Sequence, residues 1–418
     1  MLDKVIDRVL ASTVKQGVLE ITHANGRIVK FGESTPGWPE VRIRFTDQEA
    51  VKRILRDQSL GAGEAYMEGQ LVIEEGDIMG LVTLLRANRP FERDGKGRKS
   101  AANRLAGKAA SLLDQVNRQA RARANVSHHY DIGNDLYRLM LDRDHMQYSC
   151  AYWPHEGMTL EQAQQAKLAH IAAKLRLEPG NRVLDIGCGW GGMAIYLARH
   201  FDVSVLGITL STEQLALASE RARQAGVAGR VSFELVDYRD LARNGESFDR
   251  IVSVGMFEHV GRPQFETFFE ASKRLLKEEG TMLLHTIGRM GSPGSTDAFT
   301  RKYIFPGGYI PALSETVAAS EKHRLIATDV ENLRLHYAFT LREWYARCLA
   351  HRREIEAMYD ERFFRLWIFY LAGATAAFES GGMCNYQIQY ARDRRALPLS
   401  RDYMQQAERL LMTSGTAS

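Results

Sequence analysis

Apolar and polar positions along the 418-residue chain follow two different rhythms. From about Arg182 to Gly288, apolar runs of strand length (RVLDIG, VSVLGITL, VSFELVD, FDRIVSVG and TMLLHTIG) alternate with stretches of helical spacing at 191–200, 211–225 and 263–277. Strands and helices in strict turn imply a parallel sheet covered on both faces, since each crossover between parallel strands takes a helix. The first ninety residues read otherwise. VLEITHANGRIVKFG places Asn25-Gly26 between two strand-prone runs, a hairpin signal, and VRIRF (41–45) alternates like a half-buried strand. Thr46 or Asp47 then stands where a helix would be capped, and helical spacing follows at Ala50–Leu55 and Ile78–Leu85.

Charge changes the picture next. Between Arg93 and Arg123 stand nine basic residues (Arg93, Lys96, Arg98, Lys99, Arg104, Lys108, Arg118, Arg121, Arg123) and two acidic ones (Asp94, Asp114). This reads as a basic linker and helix, either a solvated connector or a segment drawn to anionic lipid headgroups. The domain expectation is therefore a small α+β domain at 1–92, a basic linker at 93–125 and an α/β catalytic domain at 126–418.

Composition narrows the class. Hydrophobic residues at 45% and charged residues at 25% exclude disorder for the bulk of the chain. A net charge of +4 is too small to argue for nucleic acid. The four cysteines (Cys150, Cys188, Cys348, Cys384) form no C-x-x-C pair and read as reduced thiols. MLDKVIDRVLAS carries charges through its apolar positions, unlike a signal peptide. The longest uncharged run, Leu366–Phe378, is too short at 13 residues to span a bilayer. The expectation is a cytoplasmic protein whose membrane contact is peripheral. His128, His129, His145, Cys150 and His155 have spacings that fit no standard structural zinc site, so no metal is expected.

The chemistry gathers at VLDIGCGWGG (183–192), a strand ending in a glycine-rich turn that opens a helix. The glycines permit tight turning and close approach of a ligand, and the helix N-terminus favours partial negative charge. Asp185 sits at the strand end, where a carboxylate can face a cationic ligand. A nicotinamide site wants an acid about twenty residues on, but the second strand ends in GITLS (207–211), without a carboxylate until Glu213. Hydroxyls of Thr209 and Ser211, with the amide of Gln214, can bind a ribose diol instead, so S-adenosylmethionine suits the site better than NAD.

With those residues in view, the chain resembles the cyclopropane-fatty-acid synthases. The resemblance rests on HHYDIGNDLYRLMLD (128–142), MQYSCAYW (146–153), GCGWGG, ITLSTEQ (208–214), VDYRDL (236–241), DRIVSVGMFEHVG (249–261), LLHTIG (283–288), IFPGGYIP (304–311) and HYAFTLREW (336–344). It runs from about Val126 to Tyr390, and more weakly through the N-terminal GVLEITHANGRIVKFG. It implies a Rossmann-like, doubly wound class I methyltransferase fold, preceded by a small lipid-carrier-like α+β domain. It implies action on the cis double bond of a phospholipid acyl chain, peripheral binding to a bilayer at the inner face of the membrane, and a homodimer. Tyr148, Ser149, Asp185, Gly187, Cys188, Gly189, Trp190, Gly191, Thr209, Ser211, Gln214, Asp237, Tyr238 and Arg239 stand at the positions that take S-adenosylmethionine. Cys150, Glu258, His285, Ile287 and Tyr337 match the positions that hold a bicarbonate ion.

The residue types fit that chemistry. Methyl transfer to an alkene leaves a carbocation on the acyl chain, and loss of a proton from the new methyl group closes the ring. The base must be small, anionic and tolerated in an apolar tunnel, which describes bicarbonate. The bicarbonate O–H can donate to Glu258, while His285, Tyr337 and backbone N–H groups donate to its oxygens. A histidine in an apolar strand is ordinarily a satisfied core residue; FEHVG and HYAFTL around it favour the site. Many relatives carry a cysteine in the helix that here reads YLAGATAAF, a candidate nucleophile, but this chain has Ala374. Aromatic residues such as Phe299, Tyr303, Phe305 and Tyr309 are candidates for an acyl tunnel, with IFPGG near its mouth. The alternatives are a methyl-branched or methylene product, a small-molecule methyltransferase, and a non-catalytic lipid-binding protein.

Overall fold

The computed structural model describes residues 2–93 and 133–414, with side chains as far as 412. Apart from Arg93, the basic segment lies outside the described residues, as do His128 and His129. The chain divides into two compact units, and the division is not a single cut. The first unit combines the N-terminal residues with Thr296–Pro306 and Ala338–Met383; the second holds the remainder.

In the first unit, β1 (Val18–Thr22), β2 (Ile28–Phe31), β3 (Glu40–Phe45) and β4 (Leu71–Glu75) form a sheet in the order β2-β1-β3-β4. β1 and β2 are the antiparallel hairpin that Asn25-Gly26 predicts, with Gly26 at φ +81°. Val41, Ile43 and Phe45 of β3 point to the core. Asp47, the second of the two cap candidates, accepts the Ala50 N–H at 3.0 Å and opens the helix Gln48–Arg56. Asp77 does the same for Ile78–Ala87. Helices Leu2–Thr13 and Gln58–Met67 and strand β4 are additions to the sequence reading. The long helix Glu361–Glu379 packs on Gln58–Met67 and Ile78–Ala87.

The second unit is built on β5 (Arg182–Ile186), β6 (Ser204–Thr209), β7 (Val231–Leu235), β8 (Phe248–Val254), β9 (Leu276–Arg289), β10 (Ile326–Asn332) and β11 (Met383–Ala391). Their order is β10-β11-β9-β8-β5-β6-β7. β5 to β9 are mutually parallel where they pair, and β10 runs antiparallel to β11. The five strands and three helices of the 182–288 pattern are all present, the helices at Gly192–His200, Thr212–Gln224 and Phe265–Leu275. This is the doubly wound α/β arrangement expected of a class I methyltransferase.

Alternation along the strands sorts two faces. Leu184, Ile186, Met282, Leu284, Tyr386 and Ile388 join an aromatic-rich core with Phe265, Phe268 and Phe269. Val183, Val205, Val252 and Leu283 pack on the other side with Leu168, Ile171 and Leu175 of the helix Leu160–Leu175. Residues two along from that second set, Asp185 after Val183 and His285 after Leu283, share its face. The pleat thus sends Asp185 and His285 toward one helix.

Candidate active site

The glycine turn after β5 is fixed by two backbone bonds: the N–H groups of Gly187 and Cys188 both donate to the Ile208 carbonyl of β6 at 3.0 Å. Gly187, Gly189 and Gly191 have φ of +82°, +53° and +78°. A Cβ on Gly191 would stand 2.6 Å from the Phe233 ring, whereas one on Gly189 would meet nothing within 4 Å. Gly191 therefore serves packing, and Gly189 borders open space of the kind a ligand needs. Asp185 pairs in register with Gly207 and Val252 on the flanking strands. It is buried, and its Oδ2 finds no hydrogen-bond partner among the described residues. Burial pushes its carboxyl up to about 7, against the pull of Lys167. An unpaired acid beside a glycine turn fits a cationic cofactor.

Of the residues expected at the adenosyl end, Thr209, Ser211 and Gln214 bond to one another. Thr209 Oγ1 donates to Gln214 Oε1 at 2.8 Å, and Ser211 caps the helix Thr212–Gln224 by accepting the Gln214 N–H at 3.2 Å. Asp237 caps the short turn Tyr238–Leu241 and grips Arg239 bidentately at 2.8 and 2.6 Å. Tyr238 is buried beneath that pair, the guanidinium carbon 5.3 Å from its ring centre. Tyr148 reaches the glycine turn through a chain of rings: Tyr148 to Tyr137 at 5.1 Å and Tyr137 to Trp190 at 4.9 Å between centroids. Trp190 Nε1–H donates to Asn134 at 2.8 Å, so the 134–148 segment and the turn are tied. Ser149 accepts from the buried Lys167 ammonium at 3.0 Å.

The second cluster lies along β9. Glu258 lies beyond β8: the strand ends at Val254 and Glu258 lies in the 3-10 turn Phe257–His259. Its Oε1 accepts the Ile287 N–H at 2.6 Å, so the backbone donor expected to face a ligand is engaged by the carboxylate. Oε2 is buried without a partner among the described residues, and burial pushes the carboxyl up to about 7. His285 is two residues back on the same face and buried, which drives its pKa well below the ordinary value. Both of its ring nitrogens already face amides, Nε2 that of Asn385 at 3.0 Å and Nδ1 that of Gln387 at 3.1 Å. Cys150 is fully buried, its thiol donating to the Ala151 carbonyl and pushed up by burial. Tyr337 is buried at the start of the helix His336–Ala350. A run of bonds links these segments: Leu333 N–H to the Asn385 carbonyl, His336 N–H to the Leu333 carbonyl, and Trp153 N–H to His336 Nδ1, each 2.8 or 2.9 Å.

A buried polar seam under the helix Leu160–Leu175 is absent from the sequence reading. Lys167, His170 and Lys174 share one helix face, and Asn385, Gln387 and Gln389 share one face of β11. Lys174 Nζ donates to Gln387 Oε1 at 2.8 Å and pairs with Glu331. His170 bonds Glu331 at 2.7 Å and Glu408 at 3.0 Å, and Tyr152 stacks on its ring at 4.1 Å. Lys167 is pulled down to about 8 by burial, with Asp142, Cys150 and Asp185 opposing. The signals were present: residues i, i+3 and i+7 on one helix face, and a period-2 run of amides in NYQIQ.

A family model described as mycolic acid cyclopropane synthetase matches residues 117–388, and one for a domain of unknown function matches residues 5–92. The chain is 43% identical over 371 residues to the cyclopropane-fatty-acyl-phospholipid synthase of Escherichia coli K12, covering 88% of this chain and 92% of that one. The structure of the cyclopropane synthase MmaA2 from Mycobacterium tuberculosis matches with a TM-score of 0.61 at 33% identity, over 64% of this chain and 98% of that one. The mycolic acid cyclopropane synthase CmaA1, complexed with SAH and CTAB, matches with a TM-score of 0.61 at 33% identity, over 66% and 99%.

Proposed function

This chain belongs to the mycolic acid cyclopropane synthetase family, and on that premise we propose that it cyclopropanates unsaturated phospholipid acyl chains at a bilayer surface. It is an S-adenosylmethionine-dependent methyltransferase, and the finer reading concerns substrate, base and setting. S-adenosylmethionine, when bound, supplies a reactive methyl carbon on a sulfonium. Bicarbonate, when bound, supplies a small anionic base for the proton lost on ring closure.

The observation that carries the reading is a pair of buried carboxylate oxygens, Asp185 Oδ2 and Glu258 Oε2, each without a partner among the described residues. Asp185 lies near the end of β5, and Glu258 lies in the turn that follows β8, the strand paired with β5. A buried unpaired oxygen asks for a ligand atom. Asp185, beside the glycine turn, would hold the cationic cofactor. Glu258, braced by the Ile287 N–H, would accept the O–H of bicarbonate, with His285 and Tyr337 as donors to its oxygens. Cys150 enters as a neutral, buried thiol. Ala374 lies in the other compact unit and offers no thiol, so no covalent step is assigned there. No helix among the described residues is long and apolar enough to cross a membrane. Peripheral attachment at the inner face of the membrane, and action as a homodimer, complete the proposal.

The test is mass spectrometry of fatty-acid methyl esters after incubating the protein with S-adenosylmethionine and cis-monounsaturated phospholipid vesicles. Esters heavier by one methylene unit and resistant to mild hydrogenation are expected. The same gain with uptake of hydrogen would mean a methylene or branched alkene. No change, with cofactor binding intact, would move the substrate away from bilayer lipids.

A further inference from the structure

We propose that Lys174, acting through Gln387, holds His285 as a neutral donor with its proton on Nε2, and that both are positioning residues for the anion site. The inference rests on the reading above only where it assigns His285 to an anion; the tautomer follows from the hydrogen bonds alone.

The chain of hydrogen bonds starts at the Lys174 ammonium. An ammonium has donors and no acceptor, so the atom of Gln387 that meets Lys174 Nζ at 2.8 Å is the carbonyl oxygen, Oε1. The rest of the amide is then committed: its NH2 group faces His285 Nδ1 at 3.1 Å. Nδ1 must accept. A neutral imidazole carries one proton, so that proton lies on Nε2. The ring stays neutral because it is buried, with Lys167, Lys174 and His170 adding positive charge around it. Asn385, 3.0 Å from Nε2, then meets the proton with its carbonyl oxygen, a half-turn that exchanges two atoms of nearly equal size.

Lys174 is itself held. It is 2% exposed, pairs with Glu331 and lies 3.9 Å from Asp329. Glu331 in turn bonds His170, and Arg401 bonds Asp329 at 2.7 Å. The amide of Gln387 therefore cannot turn over without leaving a buried ammonium facing an NH2 group. The consequence for chemistry is specific. The Nδ1–H tautomer would present a lone pair at Nε2 and repel an anionic oxygen. The Nε2–H tautomer keeps a proton on that nitrogen, held by the Asn385 carbonyl until an anionic oxygen takes its place as acceptor, without adding a charge to a site that must also receive a sulfonium.

The experiment uses full-length protein labelled with 15N-histidine, with His285→Gln identifying the resonance among the 12 histidines. Long-range 1H–15N spectra distinguish a protonated from an unprotonated nitrogen at each position. Wild type should show His285 protonated at Nε2. In Gln387→Glu a carboxylate faces both Lys174 and Nδ1, so the proton should move to Nδ1. The bicarbonate concentration for half-maximal turnover should rise about tenfold or more, with cofactor affinity within twofold. Lys174→Met should give a mixture of tautomers, and Lys174→Arg should restore Nε2–H; these guard against a fold effect in either variant alone. Protonation at Nδ1 in wild type, or an unmoved proton in Gln387→Glu, overturns the proposal. A moved proton with unchanged bicarbonate dependence overturns the positioning role and removes His285 from the anion site, while the methyl-transfer reading stands.

Discussion

Glu258 and Asp185 are both buried acids raised to about 7, but by their partners they differ in what should happen when they titrate. Glu258 has one oxygen on the Ile287 N–H and one unpaired. Its folded pKa lies above the ordinary 4.5, so its stabilising contribution is complete below pH 4.5 and lost as pH rises through about 7. Glu258→Gln keeps the Ile287 bond and removes the ionisation. The melting temperature of the variant relative to wild type, both without ligands, should therefore climb between pH 5 and pH 8; a flat difference would place the carboxyl in a wetter site. Turnover of the same variant should fall by about 10²–10⁴-fold if the carboxylate holds the base, with cofactor affinity retained. For Asp185 the linked quantity is binding. A cationic ligand favours the ionised acid, so cofactor affinity should rise with pH up to about 7 and level above it. Asp185→Asn should bind more weakly and lose that slope in a calorimetric titration; a slope that persists in the variant assigns it to another group. Both acids were legible in the sequence by their places at a glycine turn and in FEHVG. The bonds of His285 were not: a side chain's partners come from β11, a hundred residues on.

At the scale of the element, the glycine turn separates two uses of the same residue type. Gly189 borders open space, while Gly191 lies under Phe233 and Ala218. Gly189→Val should abolish cofactor binding, with stability lowered only by the left-handed backbone at φ +53°, about 1–2 kcal/mol. Gly191→Val should lower the melting temperature first, because the helix Gly192–His200 can no longer close on β6 and β7. Thermal melts and cofactor titrations on both variants check this; equal loss of folding in the two would mean that Gly189 is also a packing residue. Elements with one apolar face were readable: the five parallel strands and the helices between them appear nearly where the periodicity puts them. Among those that escaped were elements whose polar face is turned inward. NYQIQYA reads as a strand with a wet side, yet Asn385, Gln387 and Gln389 are each at most 1% exposed. The helix Leu160–Leu175 likewise buries Lys167 and Lys174. Periodicity reports that two faces differ, not which of them meets water.

Across the whole molecule, the sequence boundary at residue 92 and the compact units diverge, and the divergence has a mechanical consequence. Composition changes at the basic stretch, so a sequence reading cuts there. The fold returns instead: Thr296–Pro306 and Ala338–Met383 pack into the same unit as the N-terminal residues. Gly63 shows how closely. A Cβ there would stand 2.4 Å from the Phe299 ring and 2.9 Å from the Phe369 ring, and those two rings meet edge to face at 4.9 Å between centroids. Tyr66, on the same helix as Gly63, lies 6.2 Å from Phe369. A chain beginning at residue 124 would lose that helix and leave Phe299 and Phe369, now 2% and 9% exposed, open to water. Such a fragment should bind a hydrophobic dye, aggregate at concentrations where the full chain is monodisperse, and lose turnover even on detergent-dispersed lipid, where attachment to a bilayer plays no part. Gly63→Val in the full chain probes the same seam without truncation: overpacking there should destabilise by about 1–3 kcal/mol and expose residues 361–379 to hydrogen exchange ahead of β5 to β9. If the fragment is instead soluble and fully active on dispersed lipid, the first unit serves attachment alone, and the packing of Phe299 and Phe369 on Gly63 is dispensable for catalysis.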